Sequence, residues 1–309
     1  MLLDFTLTAG GIVLLYYGGE HLVGGASGLA RRFGVSNLVI GLTVIAFGTS
    51  APELAASITA AVFRDAPEIA LANVIGSNIA NIGLILGVAG LIYPLAATVA
   101  FLRREVPFMV LVSVVLVGAV AAGALGRPMG VLFLALLVFY LWFLFRAGAE
   151  VPVQGPDDEP LPSPLGSGLR VALGVGLLAI GARILIDGAI GVASDLGVSQ
   201  RIIGLTLVAV GTSLPELATV VVAALKAEGD LILGNLIGSN IFNILCIMGF
   251  TLLVHPLDIP FASVAVDLWV MLAFSIAIVP LLWFRMRIGP KRGGLLLASY
   301  LVYVVVLFF

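Results

Sequence analysis

The chain is short of nearly everything a water-soluble fold relies on. It has one cysteine, Cys246, in 309 residues, so no disulfide framework can brace it. Only 10% of its residues are charged, against about 25% in an ordinary globular chain. Its 15 Lys and Arg are outnumbered by 17 Asp and Glu, and a net charge of −2 with no basic domain excludes a nucleic-acid binder. Intrinsic disorder fails on the same numbers, because the chain is 61% hydrophobic. What is abundant is apolar length, with a mean hydropathy of +1.22. The chain is read as an integral protein of the cell (plasma) membrane.

A membrane-crossing helix needs about 20 mostly apolar residues. With charges, prolines and turn residues as punctuation, ten spans emerge, at 3–30, 37–62, 68–92, 105–125, 128–146, 168–194, 200–225, 230–254, 262–284 and 293–309. Their length and lack of period-two alternation exclude a β-barrel. The N-terminal run lacks a basic leader and is interrupted by Glu20 and His21, so it reads as the first span rather than a signal peptide. The 37 glycines suit close helix packing, and spacings such as Gly24–Gly28 read as packing contacts. Trp142, Trp269 and Trp283 fit interface or core roles, His21 and His255 structural or interfacial ones, and Cys246 packing.

Orientation follows from cations in the short loops. Those after spans 1, 3, 5, 7 and 9 hold eleven, from Arg31 to Arg292, whereas the opposite side has only Arg64, Arg127 and Arg201. The first set therefore faces the cytoplasm and both termini face outward. Residues 147–167, with five prolines and the acids Glu150, Asp157, Asp158 and Glu159, form a cytoplasmic tether between a first unit (1–146) and a second (168–309). The acids lack the Gly-punctuated ligand spacing of a calcium-binding loop.

The two units are copies. Residues 34–55 and 197–218 are identical at 15 of 22 positions, and 70–83 and 232–245 at 9 of 14. Five spans per unit is an odd number, so the second copy enters the membrane from the opposite face. The expected fold is all-α and polytopic: two inverted five-helix repeats, with ion or substrate sites near the midplane at broken helices 2, 3, 7 and 8.

The repeated segments carry the chemistry. Gly48-Thr49-Ser50 precedes Pro52 and Glu53, and Gly211-Thr212-Ser213 precedes Pro215 and Glu216. Each proline lacks the N–H that would bond four residues back, freeing the carbonyls of Gly48 and Gly211. Thr49 shares a helical face with Glu53, as Thr212 does with Glu216. Asn73, Ser77 and Asn81, repeated as Asn235, Ser239 and Asn243, draw a polar stripe at i, i+4 steps. A carboxylate inside a membrane costs a few kcal/mol and marks function. All these donors are oxygens, without Cys or His, which disfavours zinc, copper and iron and suits Ca²⁺. Two glutamates are neutralised equally by one divalent or two monovalent cations, which is the physical basis of exchange without ATP.

The paired G-T-S-x-P-E and G-S-N-I-x-N motifs resemble the two repeats of the cation/Ca²⁺ exchanger superfamily, and its prokaryotic Na⁺/Ca²⁺ exchangers in particular. The resemblance implies a secondary active antiporter rather than an enzyme, with Ca²⁺ and Na⁺ as transported ions and no organic cofactor or obligatory protein partner. It implies that Glu53 and Glu216 ligate Ca²⁺, with main-chain carbonyls of Thr49 and Thr212. Ser50, Ser213, Ser77, Ser239 and the backbones of Ala46 and Ala209 would line Na⁺ sites, Asn81 and Asn243 would complete the diamond, and helices 1 and 6 would slide. Several relatives carry an aspartate where this chain has Asn243, so it keeps two acids rather than three. H⁺/Ca²⁺ exchange is the nearest alternative, and a cation channel a more distant one. Glu20 is expected to pair either with Arg183, its equivalent in the other copy, or to leave Arg183 to Asp187.

Overall fold

The computed structural model describes residues 2–63, 67–148, 163–197, 211–283 and 286–307. Its helices are α1 (Leu2–Phe33), α2 (Asn37–Thr49), α3 (Ala51–Val62), α4 (Glu68–Ile92), α5 (Val99–Ala121), α6 (Arg127–Gly148), α7 (Pro164–Asp195), α8 (Leu214–Leu225), α9 (Gly229–Val254), α10 (Phe261–Trp283) and α11 (Pro290–Leu307). Among the described residues eight helices are long and apolar enough to cross a membrane, or nine with α2 and α3 as one bent span. Most of the tether, 149–162, and residues 198–210, which include the first part of the seventh expected span, lie outside the described residues. A two-residue antiparallel pair, β1 (Leu95–Ala96) with β2 (Arg287–Ile288), ties the α4–α5 turn to the α10–α11 turn.

Local sequence accounts for the ends and bends. Gly34 and Gly197, equivalent in the two copies, take left-handed conformations (φ 66° and 79°) that stop α1 and α7. The Ser36 hydroxyl then caps α2 by accepting from the Val39 amide at 3.3 Å. Pro52 falls in the first turn of α3, and the chain bends 41° between α2 and α3 at Ser50. Ser213, before Pro215, has nearly the same backbone angles (φ −88°, ψ 5°) as Ser50 (φ −83°, ψ 1°).

Spans 3 and 8 depart from the expectation of a break. α4 and α9 run through as single helices, each loosened by a π-helical stretch starting at a stripe asparagine, Asn81–Ile85 and Asn243–Met248. Neither stretch contains a proline to force a gap, and a wider turn absorbs the irregularity. The cation-bearing turns differ as well. Arg103, Arg104, Arg170, Lys291 and Arg292 are helical, because α5, α7 and α11 begin before their apolar runs do.

α4 and α9 form the centre, with 72% and 83% of their apolar windows buried, against 22% for α1 and α7. α1 and α7 pack on each other along glycines spaced by seven: Gly11, Gly18 and Gly25 against Gly174, Gly181 and Gly188. A Cβ on Gly11 would meet Leu185, on Gly18 Leu178, on Gly174 Leu22 and on Gly188 Thr8. Position numbers fall on one helix as they rise on the other, so these equivalent helices pack antiparallel, with reciprocal contacts as a twofold axis produces. A Cβ on Gly24, by contrast, would meet nothing within 4 Å among the described residues, so the contacting spacing is seven rather than four.

The same register explains a corrected ion pair. Glu20 lies opposite residues near 176, about two turns, roughly 10 Å, from Arg183. Instead its Oε2 meets Lys226 Nζ at 2.6 Å, joining α1 to the end of α8. Arg183 approaches Asp187 at 4.0 Å with both side chains well exposed, a contact worth little. All three tryptophans face outward, Trp142 beneath the Arg146 guanidinium, and Cys246 is buried among apolar neighbours.

The scaffold repeats a second polar device that the sequence reading passed over. Tyr140 Oη donates to the buried Glu105 Oε2 at 2.9 Å, binding α6 to α5, and Tyr303 Oη donates to Asp267 Oδ1 at 2.8 Å, binding α11 to α10. Offsets of 162 and 163 relate the partners. Tyr140→Phe is expected to cost about 1–3 kcal/mol, because it leaves a buried acceptor without its donor. Tyr303→Phe should cost less, since Asp267 is only partly buried. Thermal melting of the detergent-solubilised variants measures both.

Candidate functional site

The α2–α3 bend, the segment leading into α8, and the facing stripes of α4 and α9 bring the duplicated polar residues together in the buried centre. Glu53 and Glu216 are each 1% exposed, and their carboxyl groups lie close enough to interact with each other. Two prolines and two sharp serine turns aim both acids inward, each in the first turn of its helix, where free amides favour negative charge.

Around them the contacts cross from one copy to the other. Ser50 Oγ donates to Glu216 Oε1 at 3.5 Å, and Ser77 Oγ lies 3.3 Å from Ser213 Oγ. Thr49 Oγ1 bonds back to Ile45 O at 3.1 Å and reaches Asn235 Oδ1 at 3.4 Å. Its counterpart Thr212 Oγ1 reaches Asn73 Oδ1 at 3.5 Å. Asn81 Nδ2 donates to Asn240 Oδ1 at 3.1 Å, and Asn243 Nδ2 to Asn78 Oδ1 at 3.0 Å. On the outer side of the stripes, Ser113 and Ser275 of α5 and α10 meet each other at 3.4 Å.

Eleven of the twelve residues singled out from sequence fall within the described residues. Glu53, Glu216, Thr49, Thr212, Ser50, Ser213, Ser77, Asn81 and Asn243 join the contacts above. Ser239 is buried too, but its Oγ turns to Asn235 Oδ1 at 3.4 Å, while Ser50, its pseudo-symmetric partner, turns to Glu216. The pairing seen in Ser77–Ser213 is thus closed on one side only. Ala46 contributes its carbonyl, which accepts from the Ser50 amide at 3.0 Å. Ala209 lies outside the described residues.

Four buried oxygens in this cluster have no hydrogen-bond partner among the described residues: Glu53 Oε2, Glu216 Oε2, Asn81 Oδ1 and Asn243 Oδ1. A buried acceptor without a donor costs about 1–3 kcal/mol, more when charged, so four at one place ask for a cation. Asn235 Nδ2 has no partner among the described residues either. Its counterpart Asn73 Nδ2 reaches Ser57 Oγ at 2.9 Å, where the second copy has Val220.

Asn78, Asn240 and Ser57 were missed as site residues. Asn78 and Asn240 stand inside the repeated G-S-N-I-x-N motif but off the i, i+4 stripe. Their place in the cluster follows from the meeting of α4 with α9, which no single-helix pattern reveals.

A bundle of long apolar helices enclosing carboxylate, hydroxyl and amide oxygens defines an integral membrane protein with a polar centre cut off from water. The chain belongs to the sodium/calcium exchanger protein family, whose pattern it matches over residues 3–146 and 167–309. It is 38% identical to the putative antiporter CaxA of Alkalimonas amylolytica over 311 residues, covering 96% of each chain. It is 34% identical over 347 residues to the sodium/calcium exchanger MaX1 of Methanosarcina acetivorans, covering 99% of each. Among solved structures, the sodium-calcium exchanger NCX_Mj superimposes with a TM-score of 0.86 at 34% identity, over 98% of both chains.

Proposed function

We propose that the chain is a secondary active antiporter that exchanges Na⁺ for Ca²⁺ at one site, alternately open to the two faces of the cell membrane. The observation that carries this reading is the set of four unpartnered oxygens from Glu53, Glu216, Asn81 and Asn243. Two carboxylates and two amides offer Ca²⁺ flexible all-oxygen coordination and a charge of −2 to match it. The carbonyls of Thr49 and Thr212 add further donors. Na⁺ ions bind instead through Ser50, Ser213, Ser77 and Ser239 and the carbonyls of Ala46 and Ala209, sharing the glutamates. One divalent ion and several monovalent ions then exclude each other by charge.

Ten spans in two inverted units, 1–146 and 168–309 joined by the cytoplasmic tether 147–167, place the site at the midplane with both termini outside. The antiparallel packing of α1 on α7 supports that inversion, and their peripheral position supports their sliding together across the fixed centre.

The experiment is uptake of radiolabelled Ca²⁺ into proteoliposomes loaded with Na⁺ and diluted into Na⁺-free medium at clamped pH. Uptake that follows the Na⁺ gradient and collapses with a Na⁺ ionophore is expected. Uptake driven by a pH gradient alone would reassign the counter-ion to H⁺, and downhill Ca²⁺ flux without any counter-ion would indicate a channel.

A further inference from the structure

An amide ligand serves a cation only while its oxygen, not its NH₂, faces the site. Nothing intrinsic to asparagine enforces this, because the two ends have nearly the same shape and opposite polarity. Asn81 and Asn243 each have the amide nitrogen hydrogen-bonded and the oxygen left bare, so something holds both the same way round. The holders are a second pair of amides. Asn81 donates to Asn240 Oδ1, and Asn243 donates to Asn78 Oδ1.

That only moves the question outward: Asn78 and Asn240 must themselves present oxygen to the ligand amides. Their other contacts decide it. Asn240 Nδ2 donates to the thioether of Met109 at 3.6 Å. Asn78 Nδ2 donates to the thioether of Met271 at 3.8 Å and to the main-chain oxygen of Asn240 at 3.4 Å. A thioether and a carbonyl have no proton to give, so only the NH₂ end of an amide can face them. The chain of constraint runs from sulfur on α5 or α10, through one asparagine, to the ligand asparagine and its bare oxygen. It occurs twice, with Met109 and Met271, Asn78 and Asn240, and Asn81 and Asn243 all related by 162 positions. All four asparagines are buried, so water does not compete.

We propose that Asn78 and Asn240 are positioning residues, locked by the acceptor-only sulfurs of Met271 and Met109, which turn the amide oxygens of Asn243 and Asn81 into the cation site. This rests on the reading of that site as the transport site. With the lock removed, Asn81 turns freely and offers N–H dipoles to the ion for part of the time, which repel it. The lock adds no charge, so the site keeps its two negative charges while gaining two fixed oxygen dipoles.

The test uses the full chain in Na⁺-loaded proteoliposomes and compares wild type with Asn81→Ala, Asn240→Leu and the double variant. Loss of an outer partner of a metal ligand costs about 10–100-fold in affinity. Asn240→Leu is therefore expected to raise the KM for Ca²⁺ about tenfold or more, with kcat within about twofold of wild type. Asn81→Ala should raise it comparably, and the double variant should be no worse than Asn81→Ala alone, because Asn240 acts only through Asn81. If the two effects multiply instead, the positioning role is overturned while the cation site stands. If Asn81→Ala has the wild-type KM, both fall.

The near-isosteric Met109→Leu/Met271→Leu variant removes only the sulfur acceptors and stays folded even where Asn240→Leu does not. Its KM should rise by a smaller factor, roughly threefold, since a thioether is a weak acceptor. A wild-type KM in that variant would overturn the lock.

Discussion

Glu53→Gln and Glu216→Gln should each lose Ca²⁺ transport while remaining folded, the largest functional effect expected of any single substitution in the chain. In the proposed site a doubly charged ion in a dry environment is compensated by two carboxylates, and replacing one leaves a buried charge unbalanced. Breaking such a pair costs about 3–5 kcal/mol. That is roughly two to three and a half orders of magnitude in affinity. The effect on the empty protein has the opposite sign. Without a cation, keeping both buried, neighbouring carboxyl groups ionised is unfavourable, so either glutamine removes that cost instead of removing support. In ion-free buffer the melting temperature of each variant should therefore match or exceed that of the native chain.

Adding Ca²⁺ then separates the proteins. A ligand at about one hundred times its Kd stabilises a native protein by about 2.7 kcal/mol, so the native chain should melt at a higher temperature and the variants should not. A variant that melts lower without Ca²⁺ yet still gains stability with it would mean that the glutamate supports the fold and not the ion. The same competition sets the response to acid. In the proposed site protons and Ca²⁺ compete for the same oxygens, so binding should release protons and Ca²⁺ affinity should fall as pH falls, which titration calorimetry in buffers of different ionisation enthalpy would detect.

Much of this candidate site was legible because the chain states it twice. A lone Ser77 or Thr49 in a membrane helix is ordinarily back-bonded to its own turn, and Thr49 indeed bonds back to Ile45. Only the repetition of hydroxyl, proline and carboxylate in register separates a site from that background. The all-helical membrane fold came from composition, and among the described residues the helix ends fall near the expected span limits except at α5, which begins at Val99 instead of 105. What escaped the sequence was set by the register between helices. Glu20 pairs with Lys226 instead of Arg183 because α1 and α7 run antiparallel, which carries equivalent positions apart everywhere except near the axis. The π-helical stretches at Asn81 and Asn243 replace the expected breaks because a widened turn needs no proline or glycine to announce it. Glu105 and Tyr140 lie 35 residues apart on separate helices, and they were recoverable only by laying Asp267 and Tyr303 over them.

Gly174→Ala should be the most damaging substitution remote from the ion site, although it adds one methyl group to a lipid-facing helix. The new Cβ would stand 2.5 Å from the Leu22 nitrogen and 2.8 Å from the Gly18 carbonyl oxygen. Both are backbone atoms and cannot rotate aside, so α1 and α7 must separate along their whole glycine seam. Overpacking of this kind costs about 1–3 kcal/mol, and in a bilayer no hydrophobic force draws the helices back, since lipid tails are as apolar as leucine. Gly24→Ala is the control: it adds the same methyl to α1, where none of the described residues lies within 4 Å, and should be neutral or slightly stabilising through helix propensity. Because the proposed ligands sit on α2, α3, α4, α8 and α9, Gly174→Ala should leave equilibrium Ca²⁺ binding near normal. If α1 and α7 move as one body to expose the site to either face, the turnover rate falls while that affinity holds. Binding measured in detergent beside uptake in proteoliposomes gives the split, with melting temperature as the measure of the seam itself. Equal stability and equal turnover in Gly174→Ala and Gly24→Ala would show that the close approach of the two helices serves neither the fold nor the motion.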